Sequence, residues 1–141
     1  MNRFPVTIVV AVAVQVFCQL FKFVVYSLRD RKLSPKYLVT AGGAPSAHTA
    51  FVTALSVAIG MRHGFSSDLF AVAFVFSAIV IYDAFRLRGH VQKHAKIINK
   101  YVLSESGEEP VSEMVGHSVG EIVVGLIVGG GASAAVSLLL Q

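Results

Sequence analysis

Residues Phe4 to Tyr26 read FPVTIVVAVAVQVFCQLFKFVVY, an apolar run interrupted by Gln15, Gln19 and Lys22. A helix needs roughly 17–25 apolar residues to cross the hydrocarbon core of a bilayer, and this run is long enough. It is longer than the apolar part of a usual signal peptide and no small-residue cleavage site follows it, so it reads as an uncleaved spanning helix. Three further stretches of similar character lie at 45–61, 69–85 and 117–140. The segment 86–103 is amphipathic, with Val91, Ile97, Ile98 and Tyr101 on one side and Lys93, Lys96 and Lys100 elsewhere, as expected of a helix lying along the interface. The fold expected is an all-α polytopic membrane bundle: one domain, about four transmembrane helices and one interfacial helix.

Composition supports lipid as the solvent. The 141 residues are 55% hydrophobic and 14% charged, with mean hydropathy +0.70, far from an ordinary soluble domain. The net charge of +4 does not indicate nucleic acid, because the basic residues cluster in short connectors between apolar runs, as cytoplasmic loops do. The single cysteine, Cys18, lies within the first run, which leaves no disulfide or cysteine-based metal framework. Gly125 and Gly129 stand one turn apart on the last helix, a spacing that permits close helix contact and leaves a homodimer through that face open.

Orientation follows from the connectors. Arg29, Arg31, Lys32 and Lys36 in the first and Arg86, Arg88, Lys93, Lys96 and Lys100 in the third make nine basic residues on one side, against Arg3 and Arg62 on the other. The positive-inside rule makes the first side cytoplasmic, in the cytoplasmic membrane if the source is bacterial. Discounting Arg29, Arg31 and Arg88 as ligands of a substrate leaves six against two.

The same topology gathers polar residues at that face. Lys22 ends the first span, Pro45-Ser46-Ala47-His48 opens the second, Asp83 to Arg88 ends the third, and His117 with Glu121 opens the fourth. Ionisable groups at membrane depth are costly and usually face one another inside the bundle. The four-residue step from His117 to Glu121 puts both on one helix face, where a carboxylate fixes the imidazole tautomer and raises the basicity of the other nitrogen. Each residue also has a plainer reading: Lys22 snorkels to the interface, Ser46 and Thr49 start a helix, and Arg86 and Arg88 set orientation. His90 and His94 have the spacing of metal ligands without a third ligand, so no metal is expected there.

The stretch from Leu38 to Ala50, LVTAGGAPSAHTA, with Tyr82-Asp83-Ala84, Ile98-Asn99-Lys100 and Glu113-Met114-Val115-Gly116-His117, resembles the divergent PAP2 family, related to acid phosphatases and vanadium-dependent haloperoxidases. The resemblance runs from Lys22 to Glu121 and implies phosphoryl transfer through a phosphohistidine, with no metal or other cofactor. It makes His117 the nucleophile, Glu121 its orienting carboxylate in place of the superfamily's Asp, and His48 the general acid, with Ala47 replacing Gly in the PSGH motif. Lys22, Ser46, Arg88, Arg29 and Arg31 become phosphate-binding residues, with Asp83 and Arg86 in support. Asp30 stands where the superfamily's first motif has Pro, and Arg31-Lys32-Leu33 is the closer match within the divergent family. The superfamily's Ser-Arg pair is missing, since Val111 and Ser112 occupy its place, and Arg88 is the candidate substitute.

A site at the membrane face implies a lipid phosphate or a similar phosphomonoester or pyrophosphate as substrate, with membrane lipids as surroundings. Two other classes fit the residues: a noncatalytic phospholipid-binding or scaffold protein, and an oligomeric transporter using Lys22, Asp83 and Glu121.

Overall fold

The computed structural model describes residues 6–103 and 107–139, without the side chains of residues 36 and 103. Arg3, Phe4, the start of the loop at 104–106 and Leu140 lie outside the described residues. The chain forms α1 (Val6–Arg29), a short α2 (Lys36–Val39), α3 (Ala47–His63), α4 (Asp68–Phe85), α5 (Leu87–Ile98), a π-helical turn (Asn99–Leu103) and α6 (Val119–Leu139). No strand occurs among the described residues.

Among the described residues, three helical stretches of 18 or more residues are by length and composition apolar enough to cross a membrane: α1, the continuation Asp68–Val102, and α6. The fourth expected span, α3, has 17 residues. At 1.5 Å per residue it is about 26 Å long, the lower end of the range for a membrane span. It is the central helix, packed on α6, α1 and α4. Its buried face is built of small residues, with Ala47, Ala50, Ala54 and Ala58 among them. The outward faces of α1 and α4 carry Phe17, Phe21, Phe74 and Phe76 exposed, as helices facing acyl chains do.

α3 and α6 run parallel, matched turn for turn. A Cβ on Gly125 would come within 2.8 Å of the Ser46 carbonyl, and one on Gly129 within 2.3 Å of the Ala50 carbonyl. One turn further, the Ser133 hydroxyl donates to the Ala54 carbonyl at 2.8 Å. The glycine face expected to be available for a second copy is therefore filled by α3 of the same chain. The opposite neighbour, α4, is joined to α3 where the Ser77 hydroxyl donates to the Val52 carbonyl at 3.0 Å and meets Ser56 at 2.7 Å.

Helix ends differ from the expected boundaries for local reasons. Pro45 is not the first helical residue: α3 begins at Ala47, because Ser46 is its N-cap and accepts from the Thr49 amide at 3.4 Å. α3 also runs two residues past Met61, to His63, where Gly64 at φ 91° ends it. α6 begins at Val119 rather than at 117. Ser118 and Glu121 form a capping box there, the Glu121 amide donating to Ser118 Oγ and the Ser118 amide donating to Glu121 Oε2, both at 3.3 Å. Only Arg86 interrupts the helix between α4 and α5.

Candidate functional site

The polar residues meet at the end of the bundle where α3 and α6 start and α1 and α4 finish. Backbone bonds stitch this end together. The Ser46 amide donates to the Glu121 carbonyl at 3.1 Å, the Gly42 amide to Met114 at 3.0 Å and the His117 amide to Ala84 at 3.3 Å. Gly42 permits the contact with the 111–116 loop, since a Cβ there would lie 3.0 Å from the Gly116 carbonyl, and Gly43 adopts φ 88° against Tyr26.

His117 lies in the turn before α6 and is 5% exposed. Its Nδ1 donates to Glu121 Oε2 at 2.8 Å, so the pairing expected within one helix forms across a capped helix start. That bond leaves Nε2 as the unprotonated nitrogen, buried and without a partner. The His48 ring stands beside it, centroids 6.4 Å apart and planes 63° apart, and His48 Nδ1 is likewise buried and unpartnered. Leaving such groups unsatisfied costs roughly 1–3 kcal/mol each. Burial pushes the His117 pKa below its usual value, Lys22 and Arg88 act in the same direction, and the Glu121 bond and charge oppose them.

The expected phosphate ligands divide into two groups. Lys22 does not snorkel: it is fully buried and donates to the Thr40 and Gly42 carbonyls at 3.2 and 3.3 Å. With Gln19, which donates to Leu38 and Thr40, it holds the first connector against α1. Ser46 is buried as the α3 cap, its hydroxyl 3.0 Å from that of Thr49. Arg88 Nε donates to Asp83 Oδ2 at 2.9 Å. Arg31 is exposed at φ 50° beyond the end of α1.

Arg29, in contrast, lines a cavity of about 560 Å³ with His117 and Glu121, and so does Arg86, expected only in support. His90, Lys93 and Lys96 share its wall, whereas Lys22, Ser46, His48 and Arg88 do not line it. Among the described residues, no three His, Cys, Asp or Glu side chains come together as a metal site.

Reasoning from sequence misses Lys93 and Lys96, whose polar stripe on α5 reads as interfacial although its 3.6-residue spacing joins Arg86 and His90. It also misses Asn99. That side chain donates to the Val111 carbonyl at 2.9 Å and to Glu113 Oε1 at 2.8 Å, and accepts from the Val111 amide at 2.9 Å. This clamp fixes the loop leading to His117, and no local spacing announces it.

No solved structure matches the chain. The "Uncharacterized membrane protein YuiD" of Bacillus subtilis (strain 168) is 30% identical over 145 residues, covering 92% of this chain and 90% of that protein. A profile of the Divergent PAP2 family matches residues 5–132. A helical membrane bundle carrying this family's pattern from one end of the chain almost to the other belongs to the divergent PAP2 family.

Proposed function

We propose that the protein is a membrane phosphatase or phosphotransferase of the PAP2 type, acting on a lipid phosphate or a similar phosphomonoester or pyrophosphate. The observation that carries this reading is the pair of adjacent imidazoles, each with a buried unpartnered nitrogen, beside a cation-lined cavity. His117 Nε2 attacks phosphorus and forms the N–P bond as the bond to the leaving oxygen breaks, and protonated His48 gives that oxygen its proton. His48, now neutral, takes a proton from water, whose oxygen attacks the phosphohistidine. Inorganic phosphate leaves and His117 is restored. Arg29, Arg86, Lys93 and Lys96 supply fixed positive charge for the equatorial oxygens. The face bearing this site is the cytoplasmic one by the excess of basic connector residues.

The test is phosphate release from phosphatidic acid by purified protein in vesicles, with His117→Ala in parallel and acid quenching avoided in favour of alkaline quenching, which preserves a phosphohistidine for detection. Release and trapping by the wild type alone support the reading, and equal release by both proteins removes His117 as nucleophile.

A noncatalytic phospholipid-binding protein is the second reading. It draws on the commitment of Arg88 to Asp83 and of Lys22 to backbone carbonyls, which withdraws two expected phosphate ligands. Phosphatidic acid binding without turnover would select it.

A further inference from the structure

α4 and α6 both pack on α3 but scarcely on each other. The gap between them is a groove of about 700 Å³ floored by Thr53 and Val57 of α3, with Ala78 and Ile81 on one wall and Ile122 and Leu126 on the other. Its lining extends along α4 from Phe70 to Phe85, about 22 Å at 1.5 Å per residue and so longer than half the roughly 30 Å hydrocarbon core. Phe85 also lines the cation-bearing cavity beside His117. The two spaces therefore adjoin, one apolar and one positively charged.

We infer that this groove holds the hydrocarbon tail of a phosphorylated amphiphile whose phosphate occupies the adjoining cavity, with Phe85 at the junction. The phosphate end of the inference rests on the reading above. The occupant follows from charge complementarity at one end and apolar lining at the other, a combination the apolar outer face of α1 around Val12 and Val16 lacks. Lipid tails are as apolar as the groove wall, so the groove gains no hydrophobic energy over the bilayer. It sets where the tail runs, and the phosphate contacts supply the preference for a charged headgroup.

The test uses the full chain in phosphatidylcholine vesicles with a trace of phosphatidic acid bearing a photoactivatable diazirine in its tail, adducts being mapped by peptide mass spectrometry. Adducts are expected at Ile81 and Leu126 at several times the level at Val12 and Val16. Excess phosphatidic acid should remove them and excess diacylglycerol should not. Ala78→Trp, which fills a groove position, should cut groove labelling several-fold and leave α1 labelling unchanged. Leu126→Phe is a second filling variant in case the first misfolds.

Equal labelling of the two faces, equal competition by diacylglycerol, or a crosslink placing a second copy of the chain in the groove overturns the inference. Labelling needs no turnover, so groove adducts without phosphate release sink the phosphatase reading and keep this one. Release from a water-soluble phosphomonoester without groove preference does the reverse.

Discussion

Glu121 accepts from His117 Nδ1 at 2.8 Å although its helix begins two residues after that histidine. The same carboxylate oxygen accepts from the Ser118 amide, so one side chain caps the helix and selects the imidazole tautomer. Its geometry is anchored through the backbone, where the Glu121 carbonyl accepts from the Ser46 amide.

Burial lowers the His117 pKa, with Lys22 and Arg88 acting in the same direction, whereas Glu121 raises it. Attack requires the neutral ring, so phosphate release should fall on the acid side only below the usual histidine value near 6.5. Glu121→Gln removes the opposing charge and should move this limb to lower pH, while Arg88→Ala should move it up. A kcat/KM profile against pH for the three proteins checks both signs, and unshifted or reversed limbs count against His117 as the titrating group.

Asn99→Ala releases the loop at Val111 and Glu113 without removing any group from the cavity. Misplacing a reacting group by about 1 Å lowers a rate on the order of 100-fold. The variant should lose kcat on that scale with an almost unchanged melting temperature, measured by turnover and thermal unfolding in detergent. An equal loss of fold would make the clamp purely structural.

Two glycines of α6 should respond in opposite directions. Gly129→Leu drives a side chain into the Ala50 carbonyl and should destabilise by at least about 1–3 kcal/mol. A Cβ on Gly131 would meet nothing within 4 Å, so Gly131→Ala should stabilise by up to about 1 kcal/mol through helix propensity. Chemical unfolding in mixed micelles measures both.

Asp83 and Arg88 are each about one-third exposed, at 34% and 33%, and such a pair is worth roughly 0–1 kcal/mol. Asp83→Asn should therefore leave stability nearly unchanged while freeing the guanidinium. Increased affinity for phosphatidic acid vesicles in a sedimentation assay would show that Asp83 restrains Arg88, and unchanged affinity would show that Arg88 does not reach the lipid phosphate.

These contrasts mark what is legible in the sequence. The runs at 4–26, 45–61, 69–85 and 117–140, the amphipathic 86–103 segment and the shared face of His48, His117 and Glu121 follow from apolar length and the count of crossings. Glycine spacing at 125 and 129 reads identically whether the partner helix is in the same chain or in another, so the α3 contact is not legible. Ser118 and Glu121 have the spacing of a capping box, a signal that the histidine pairing overshadows. Asn99 and Lys22 act on backbone groups 12 to 20 residues away, and only the tertiary arrangement identifies such partners.

The parallel α3–α6 seam also restricts how relatives can vary in length. Each added residue turns the following part of a helix by about 100°, so one insertion near Ala50 or Gly129 would carry the small residues beyond it off the seam. Insertions and deletions are thus expected in the stretches around 30–35 and 107–110, where added chain bulges into solvent, and not between residues 46 and 58 or 121 and 133.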